Sequence, residues 1–425
     1  MSDVPVAQHR DAYAALRVPV FRRYIVCLLA LTLGIQIQGT VVGWQVYDLT
    51  HDPLALGFIG LAEALPAILT ALYAGHVADT RDRRRIALAA LVALVACSIA
   101  LWFLSRPLVA GIAVTQPDRL KAIYAVIVVS GVARAFLQPA RQALSAELVP
   151  RELYPNAITW RSGSWQLAAV LGPALGGLLY AAGGTSLAYA VDAALMIAAV
   201  FVLVTVRHVP PPREPNNEKI LSSLTSGLRF VVGEPVILGA LTLDLFSVLF
   251  GGAVALLPVF AAEILHVGPA GLGLLRAAPA AGAVVTSVLL TRWPPFQRTG
   301  RTLLLAVAGF GACMIGFGLS RNFALSVVLL WASGGCDMVS VVVRSTLLQV
   351  RTPIELMGRV SAVNQIFIGS SNEIGGFESG VTARWFGTAQ SVVLGGVATL
   401  VVVAVVAWRL PLLRRLGRLV PDAHA

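Results

Sequence analysis

The sequence contains little charge. Only 12% of its 425 residues are Asp, Glu, Lys or Arg, whereas about a quarter of the residues are charged in an ordinary soluble domain. Hydrophobic residues make up 57% of the chain, and the mean hydropathy is +0.80. A composition this poor in charge excludes a soluble globular protein and indicates a chain that crosses a membrane several times.

Cysteine and histidine are also scarce. The four cysteines lie within apolar stretches and the six histidines are scattered, so neither a disulfide framework nor a zinc site is indicated. The sequence has no Gly-x-x-x-x-Gly-Lys-Ser/Thr motif that would bind a nucleotide. No nucleophile–base or metal constellation stands out, so we expect neither an enzyme nor a cofactor.

Positive charge exceeds negative charge by 11, and almost all of the excess is arginine. A basic chain can bind nucleic acid. Here, however, the arginines flank apolar runs, which is the pattern that keeps the ends of membrane helices in the cytoplasm. We therefore expect membrane lipid around the chain and no nucleic-acid partner.

Twelve apolar runs have about the twenty residues that a helix needs to cross a bilayer. They span 22–47, 54–78, 86–104, 122–146, 162–182, 186–206, 236–262, 270–291, 302–320, 323–349, 361–384 and 389–409. Arginine is concentrated in both tails and in the even-numbered loops; it is absent from the first, fifth and seventh loops, and the third loop is a mild exception. This distribution predicts a multi-pass protein of the cytoplasmic (inner) membrane with both termini in the cytoplasm.

The longest polar interval, 207–232, is rich in proline and lies between the sixth and seventh runs. It predicts a cytoplasmic linker between one six-helix bundle at 1–206 and a second at 233–425. An internal repeat at an offset of 203 residues supports this division. The pattern Arg141-x-x-Leu144 with Pro150-x-Glu152-Leu153 recurs as Arg344-x-x-Leu347 with Pro353-x-Glu355-Leu356.

The turn between the second and third runs, 75–86, holds four arginines and two aspartates. Gly75 is expected to let two backbones approach closely, and Asp79 to cap a helix N-terminus or pair with an arginine. The turn resembles the loop signature of the major facilitator superfamily of transporters, Gly-x-Leu-Ala-Asp-Arg-x-Gly-Arg-Arg. The matching residues are Gly75, Ala78, Asp79, Arg83 and Arg84, while Val77, Thr80 and Asp82 depart from it. The resemblance implies a conformational-switch loop; the alternative is a basic loop that only sets topology.

The fifth run carries a glycine–proline element. Its residues are Gly172, Pro173, Gly176 and Gly177. Glycines at this spacing let a neighbouring helix pack closely, and proline permits a bend. The element resembles the Gly-Pro-x-x-Gly-Gly stretch of proton-coupled exporters in the superfamily, which implies an antiporter; the alternative is close packing alone.

One stripe of the fourth run is polar, with members at spacings of four, three and four. They are Arg134, Gln138, Arg141 and Ser145. A charged stripe facing lipid is costly, so this one should face the bundle interior or a watery cavity. Arg141 is expected to pair with Asp79 or Glu147. Arg134 resembles the superfamily's proton-transfer arginine in Arg-x-x-Gln-Gly, although Gln138 stands one place late; the alternative is a buried structural pair.

Several acids lie inside apolar runs, and a carboxyl group removed from water is more readily protonated. Together with Arg134, the proton-coupling candidates are Asp244 and Glu373, which lead, and Glu63 and Asp337; Asp192 is a further buried acid. For each acid the alternative is a satisfied structural group. For Asp337 that alternative is a pair with Arg276 or Arg344.

Polar side chains within the runs are candidates for a substrate cavity. They are Gln38, Gln45, Gln138, Gln365 and Asn372. Nearby, Trp44 and Tyr47 are expected in an interfacial aromatic belt; the alternative is that they bind a ring-bearing substrate. The polar eleventh run resembles that of the superfamily branch that contains enterobactin exporters, as does the stretch from Trp44 to Gly57.

The resemblance implies an all-α membrane protein with twelve transmembrane helices in two pseudo-symmetric six-helix bundles. It further implies a monomer that exports a small amphipathic molecule, a siderophore or drug-like compound, by proton antiport and alternating access. The alternatives are an uptake symporter of the same fold, an intramembrane enzyme or lipid flippase, and a non-transporting sensor or scaffold.

Overall fold

The computed structural model describes residues 11–106, 108–109, 112–113, 115–206, 220–251, 253–293, 297–353 and 356–417. Apart from one short antiparallel pairing of Leu108–Val109 with Ile112–Ala113, its regular structure is helical. The sequence prediction of an all-α fold is confirmed.

The described part of the first half contains five long helices. They are α1 (Pro19–Thr50), α2 (Pro53–Thr80), α3 (Arg83–Leu104), α4 (Gln116–Glu147) and α5 (Tyr154–Thr205). The last of these, α5, contains both the fifth and the sixth predicted runs. Its backbone leaves the helical region at Gly183 and Gly184, between the two runs. Gly184 has φ 67°, which glycine adopts without steric cost. The bend thus divides α5 into two spans.

The second half contains seven labelled helices. They are α6 (Ile220–Gly233), α7 (Pro235–Phe250), α8 (Gly268–Arg292), α9 (Thr299–Leu319), α10 (Phe323–Arg351), α11 (Met357–Phe386) and α12 (Thr388–Arg409). The seventh span continues beyond α7 through short helical turns at Ala253–Leu256, Leu257–Val259 and Phe260–Ile264. The last part of the proline-rich interval 207–232 is helical, as α6.

Side-chain caps fix several helix starts. The Asp52 carboxylate accepts a hydrogen bond from the backbone N–H of Leu54 at the start of α2, at 3.0 Å. Asp82 accepts from two backbone N–H groups at the start of α3, and Asn322 accepts from Leu325 at the start of α10. Each cap satisfies helix N–H groups that have no partner within the helix.

Within the described residues, ten helical segments are long and apolar enough to cross a membrane. One of them, Arg151–Thr205, contains two spans, and the polar helix α11 is not among the ten. Each of the twelve predicted runs coincides with a helical span.

The helices form two groups that meet along two seams. In the first group α1 packs on α5, and α4 packs on α2 and α3; in the second, α9 packs on α10 and α12, α8 on α10, and α7 on α11 and α12. Between the groups, α5 packs on α8 and α2 packs on α11. We call the end with the 81–82 turn and the α4–α5 junction the arginine-rich end, and the end with the α1–α2 turn the opposite end.

Candidate functional site

A cavity of about 870 Å³ lies between the two groups of helices. Its wall comes from α1, α4 and α5 on one side and from α8, α10 and α11 on the other. The described charged side chains of the wall are Arg141, Arg161, Arg276 and Asp337. Amide and apolar side chains, such as Gln36, fill the rest of the wall.

The two groups touch at the opposite end. An added Cβ at Gly57 of α2 would lie 3.3 Å from Gly380 Cα of α11, which shows how closely these backbones approach. Asp52 also forms an ion pair with Arg384 across the seam at 3.3 Å. The cavity wall instead extends to Arg141, which lies within the last two turns of α4 at the arginine-rich end.

Tyr47 of α1 also lies at the contact between the two groups. Its hydroxyl donates a hydrogen bond to Glu263, in the turn Phe260–Ile264 of the second group. Tyr47 is 3% exposed. The prediction of an interfacial belt is therefore wrong for this residue, because its ring is buried between the two groups. Trp44 lies beside it on α1 and packs edge-on against Tyr180.

Three of the five predicted cavity residues line the cavity: Gln138, Gln365 and Asn372. The other two do not, and the prediction is corrected for them. The amide oxygen of Gln45 accepts a hydrogen bond from the Tyr189 hydroxyl at 2.6 Å. Gln38 is 4% exposed and belongs to a hydrogen-bond network within the first group. In this structure both side chains form hydrogen bonds inside the first group and do not line the cavity.

The Gln38 network joins five spans of the first group. Arg134 forms an ion pair with Glu63 and donates to the Gln38 amide oxygen at 3.3 Å. The Gln38 amide nitrogen donates to Asp192 at 3.1 Å and to Ser98 at 3.2 Å. Two residues predicted separately as proton-coupling candidates are thus partners, and a buried amide connects them to a fully buried acid.

The leading acid of the sequence analysis, Asp244, forms an ion pair with Arg344. The side chains are 6% and 4% exposed, so the pair is buried between α7 and α10. Arg344 is therefore not the partner of Asp337. Arg276 forms no ion pair with Asp337 among the described residues either; its guanidinium donates to the Gly39 carbonyl at 2.8 Å. Asp337 lines the cavity and forms no ion pair or hydrogen bond with any other residue that the structure describes.

The α2–α3 turn is attached to two neighbouring helices. Arg83 forms an ion pair with Glu147 of α4, and Arg84 donates to the Val204 carbonyl of α5 at 2.7 Å. Two expectations are corrected. Glu147 is occupied by Arg83 and does not pair with Arg141. An added Cβ at Gly75 would meet no atom within 4 Å, so Gly75 makes no close backbone approach.

The side chains of Asp79 and Glu373 lie outside the described part of the structure. The roles predicted for these two residues stay predictions.

The glycines of the fifth run do permit close packing. An added Cβ at Gly172 would lie 2.4 Å from Gln36 Cβ, and one at Gly176 would lie 3.2 Å from Ile37 Cα. At Gly177 it would lie 2.9 Å from Gly273 Cα, across the α5–α8 seam. The packing prediction is confirmed, and Pro173 lines the cavity.

The sequence analysis did not assign Arg161 or Arg276 to the cavity. Arg276 could have been predicted as a functional residue, because it is a charged residue within the apolar run 270–291. Arg161 stands just before its apolar run, 162–182, where an arginine is expected at a cytoplasmic helix end. Its position on the cavity wall depends on the bend and packing of α5.

Two six-span groups around a central cavity define a transporter of the major facilitator superfamily. Solved structures agree with this fold. A bacterial homologue of the human lysosomal transporter Spinster, inward-facing and unoccupied, superposes with a TM-score of 0.71 at 15% identity, covering 96% of this chain and 100% of that chain. The D-xylose–proton symporter gives a TM-score of 0.69 at 14% identity, covering 92% and 97%.

The profile of the family described as "Transmembrane secretion effector" matches residues 10–419, so the chain belongs to that family of transporters. The enterobactin exporter EntS of Shigella flexneri is 27% identical over 345 residues, which cover 81% of this chain and 80% of that protein. EntS of Citrobacter koseri is similar to the same extent. The chain is a multi-pass membrane transporter and not an enzyme.

Proposed function

We propose that this transporter exports a small amphipathic molecule, a siderophore or drug-like compound, by proton antiport and alternating access. The observation that carries the proposal is the central cavity, which both groups line with charged, amide and apolar side chains. Such a wall suits a ligand that has a polar group and an apolar body. The relatives named enterobactin exporters favour export, and so does the antiporter-like element at Gly172–Gly177.

We further propose that the arginine-rich end faces the cytoplasm, as the positive-inside rule requires, with both termini on that side. The cavity then extends to the cytoplasmic side, where an exporter loads its substrate. The units are the bundles 1–206 and 233–425, joined by the linker 207–232. In this orientation the α2–α3 turn, with Arg83 and Arg84, is a cytoplasmic attachment between helices that must move during the transport cycle.

For proton coupling we propose Glu63 with Arg134. A coupling acid must exchange its proton with water and must alter contacts that move. Glu63 is paired with Arg134, and protonating Glu63 would release Arg134 from this ion pair. Arg134 also donates to Gln38 of α1, and Gln38 donates to Asp192. The release would therefore alter contacts of α1 and of the second span of α5. Asp337 is the second candidate because it lines the cavity, whereas we assign a structural role to the buried Asp244.

The test is transport into inside-out membrane vesicles with an acidic lumen, using enterobactin and a panel of drug-like dyes. We expect wild-type protein to accumulate at least one of these compounds when the gradient is imposed. Glu63→Gln should lose the dependence on the gradient, because a neutral side chain cannot exchange a proton. Asp118→Asn is the matched control, since Asp118 is exposed at the start of α4.

Other outcomes would select the alternatives. Gradient-driven movement out of the vesicle would indicate an uptake symporter, and movement of labelled lipid alone would indicate a flippase. Accumulation that ignores the proton gradient in wild-type protein would refute proton coupling. Loss of gradient dependence in Asp337→Asn alone would move the coupling site to the cavity wall.

A further inference from the structure

We propose that the cavity binds an organic anion, whose acidic group is held by Arg141 and Arg161 and whose apolar body lies against the rest of the wall. The inference rests on the proposed function in one respect, namely that this cavity is the substrate site. It narrows the substrate class from amphipathic molecules in general to those that carry negative charge.

The charged side chains of the cavity wall are mostly positive. Three arginines and one aspartate are the charged residues among the described lining, which leaves a net positive cavity. Arg141 on α4 and Arg161 on α5 line the same side, and neither guanidinium forms an ion pair with a described residue. Glu63 and Glu147 are acids of the same group, but they are already paired with Arg134 and Arg83. Two positive charges on this side of the cavity therefore lack a described acidic partner.

The internal repeat shows that this imbalance belongs to one half only. Arg344 occupies the position in the second half that Arg141 occupies in the first. Asp244 of α7 neutralises Arg344, and both are buried. In the first half the corresponding first helix, α1, has Asp48 as its only acid, and that residue lies two residues from its far end. Beside Arg141, α1 instead contributes Leu28 to the wall and the Tyr24 hydroxyl, which donates to the Arg141 carbonyl at 2.6 Å.

The chemistry of the surrounding wall suits a ring-bearing anion. Guanidinium groups bind carboxylate and sulfonate oxygens through paired, charge-assisted hydrogen bonds. Trp165 follows Arg161 by one helical turn on the same wall, and it is half exposed. Gln138 and Gln142 flank Arg141 and offer further hydrogen bonds. An acidic group at the arginines thus places an attached aromatic body against Trp165.

A consequence for energetics follows from the sign of the charge. An inside-negative membrane potential favours the exit of an anion and opposes the exit of a cation. Exchange of an outgoing anion for an incoming proton is driven by both the potential and the proton gradient. Transport of the anion should therefore respond to a potassium–valinomycin potential even when the pH is equal on both sides.

The test measures binding to the purified full chain in neutral detergent, with no gradient present. The probes are naphthalene-2-carboxylate and naphthalene-2-sulfonate, compared with naphthalene-2-carboxamide and 2-(aminomethyl)naphthalene. Binding is read from ligand-induced thermal stabilisation. We expect the two anions to bind about tenfold or more tightly than the amide and the ammonium, since a charge-assisted hydrogen bond is roughly twice as strong as a neutral one.

Substitutions of the two arginines test whether they cause the preference for anions. Arg141→Gln and Arg161→Gln should each reduce anion affinity about tenfold, and Arg141→Lys should retain most of the preference over the amide. Arg301→Gln, which removes an exposed arginine outside the cavity, is the matched control and should bind like wild type. Equal binding of all four probes, tighter binding of the ammonium, or an anion preference that survives the double Gln variant would overturn the proposal. The wild-type comparison and the Lys variant decide the question even where a Gln variant does not fold.

The anionic group could belong to a soluble compound or to a lipid headgroup. Titration with phosphatidylglycerol and with phosphatidylcholine separates these sources. Displacement of the naphthalene anions by phosphatidylglycerol alone assigns the site to an anionic lipid, and failure of both lipids to displace them assigns it to a soluble anion. The binding test uses no gradient, so its outcome is independent of the vesicle transport test. If the anions bind but no compound moves in response to the gradient, the proposed function is refuted and the anion site stands. If enterobactin is transported but the four probes bind equally, the proposed function stands and the anion site is refuted.

Discussion

At the scale of single residues, the acids inside the membrane spans fall into distinct environments. Asp244 is buried against Arg344, Glu63 is partly exposed against Arg134, and Asp337 lines the cavity without a described partner. A buried charge is tolerated only when it is paired. The environment therefore separates Asp244, which is buried in an ion pair, from Glu63 and Asp337, which we propose as candidates for proton coupling.

The first prediction follows for Asp244→Asn. It leaves the Arg344 guanidinium buried without a counter-charge, which should destabilise the fold by about 3–5 kcal/mol. Thermal unfolding in detergent should show a melting temperature several degrees below that of wild type. Replacing both residues together, as Asp244→Leu with Arg344→Met, should recover most of the loss because no charge remains buried.

The control for this prediction is Glu234→Gln. Glu234 pairs with Arg351 at 2.9 Å, but both side chains are about one-third exposed. Removal of such a pair should change stability by about 0–1 kcal/mol. An Asp244→Asn protein that melts like wild type would contradict the structural role and return Asp244 to the coupling candidates.

At the scale of helices, glycines decide where the two groups of helices can touch. Gly177 of α5 faces Pro269 and Gly273 of α8, and an added Cβ would lie 2.4 Å from the Pro269 carbonyl oxygen. Gly163 lies in the same helix, where an added Cβ would meet nothing within 4 Å. One helix thus provides both a critical glycine and a neutral one.

The second prediction concerns these two positions. Gly177→Ala should push α5 away from α8 and reduce the population of the conformation in which the groups meet at the opposite end. Gly163→Ala should leave that population unchanged and can stabilise its helix by up to about 1 kcal/mol. The measurement is the labelling rate of Ser162→Cys on the cavity wall by a water-soluble maleimide, in a background without the native cysteines.

We expect Gly177→Ala to slow this labelling and Gly163→Ala to leave it at the rate of the parent protein. Equal rates in the two variants would mean that the α5–α8 contact does not set the conformational equilibrium.

At the scale of the whole molecule, the groups touch at one end and the cavity extends toward the other, which is the arrangement expected of one state in the proposed alternating-access cycle. Alternating access requires the α2–α11 and α5–α8 seams to open when the arginine-rich end closes. The third prediction is that a covalent link across the α2–α11 seam prevents this exchange. Phe58 and Phe377 face each other across this seam, with ring centroids 5.6 Å apart. Phe58→Cys with Phe377→Cys, in a background without the native cysteines and joined by a short bis-methanethiosulfonate, should lose transport and recover it on reduction.

Substrate binding should survive the same link, because the cavity stays accessible from the arginine-rich end. Each single cysteine variant is the control and should transport after the same treatment. Retained transport in the linked protein would exclude opening of this seam from the cycle.

The helical elements and their order can be derived from the amino-acid sequence alone. The twelve spans follow from runs of about twenty apolar residues, because a backbone in lipid must satisfy its hydrogen bonds within a helix. Caps such as Asp52 and Asp82 and the bend at Gly183–Gly184 are local features, and their consequences are local. The packing role of Gly172, Gly176 and Gly177 was also predictable, since glycine spacing along one helix defines a smooth face.

The pairing of charged side chains, in contrast, depends on how the helices pack. Periodicity places a side chain on a face of its own helix, but it says nothing about which helix faces it across the bundle. Hence Arg344 pairs with Asp244, Glu147 with Arg83, and Gln38 with Asp192, although sequence reasoning had expected other partners or an open cavity. The cost of leaving a buried charge unpaired selects these partners, and it acts on distances in space that helix packing alone sets.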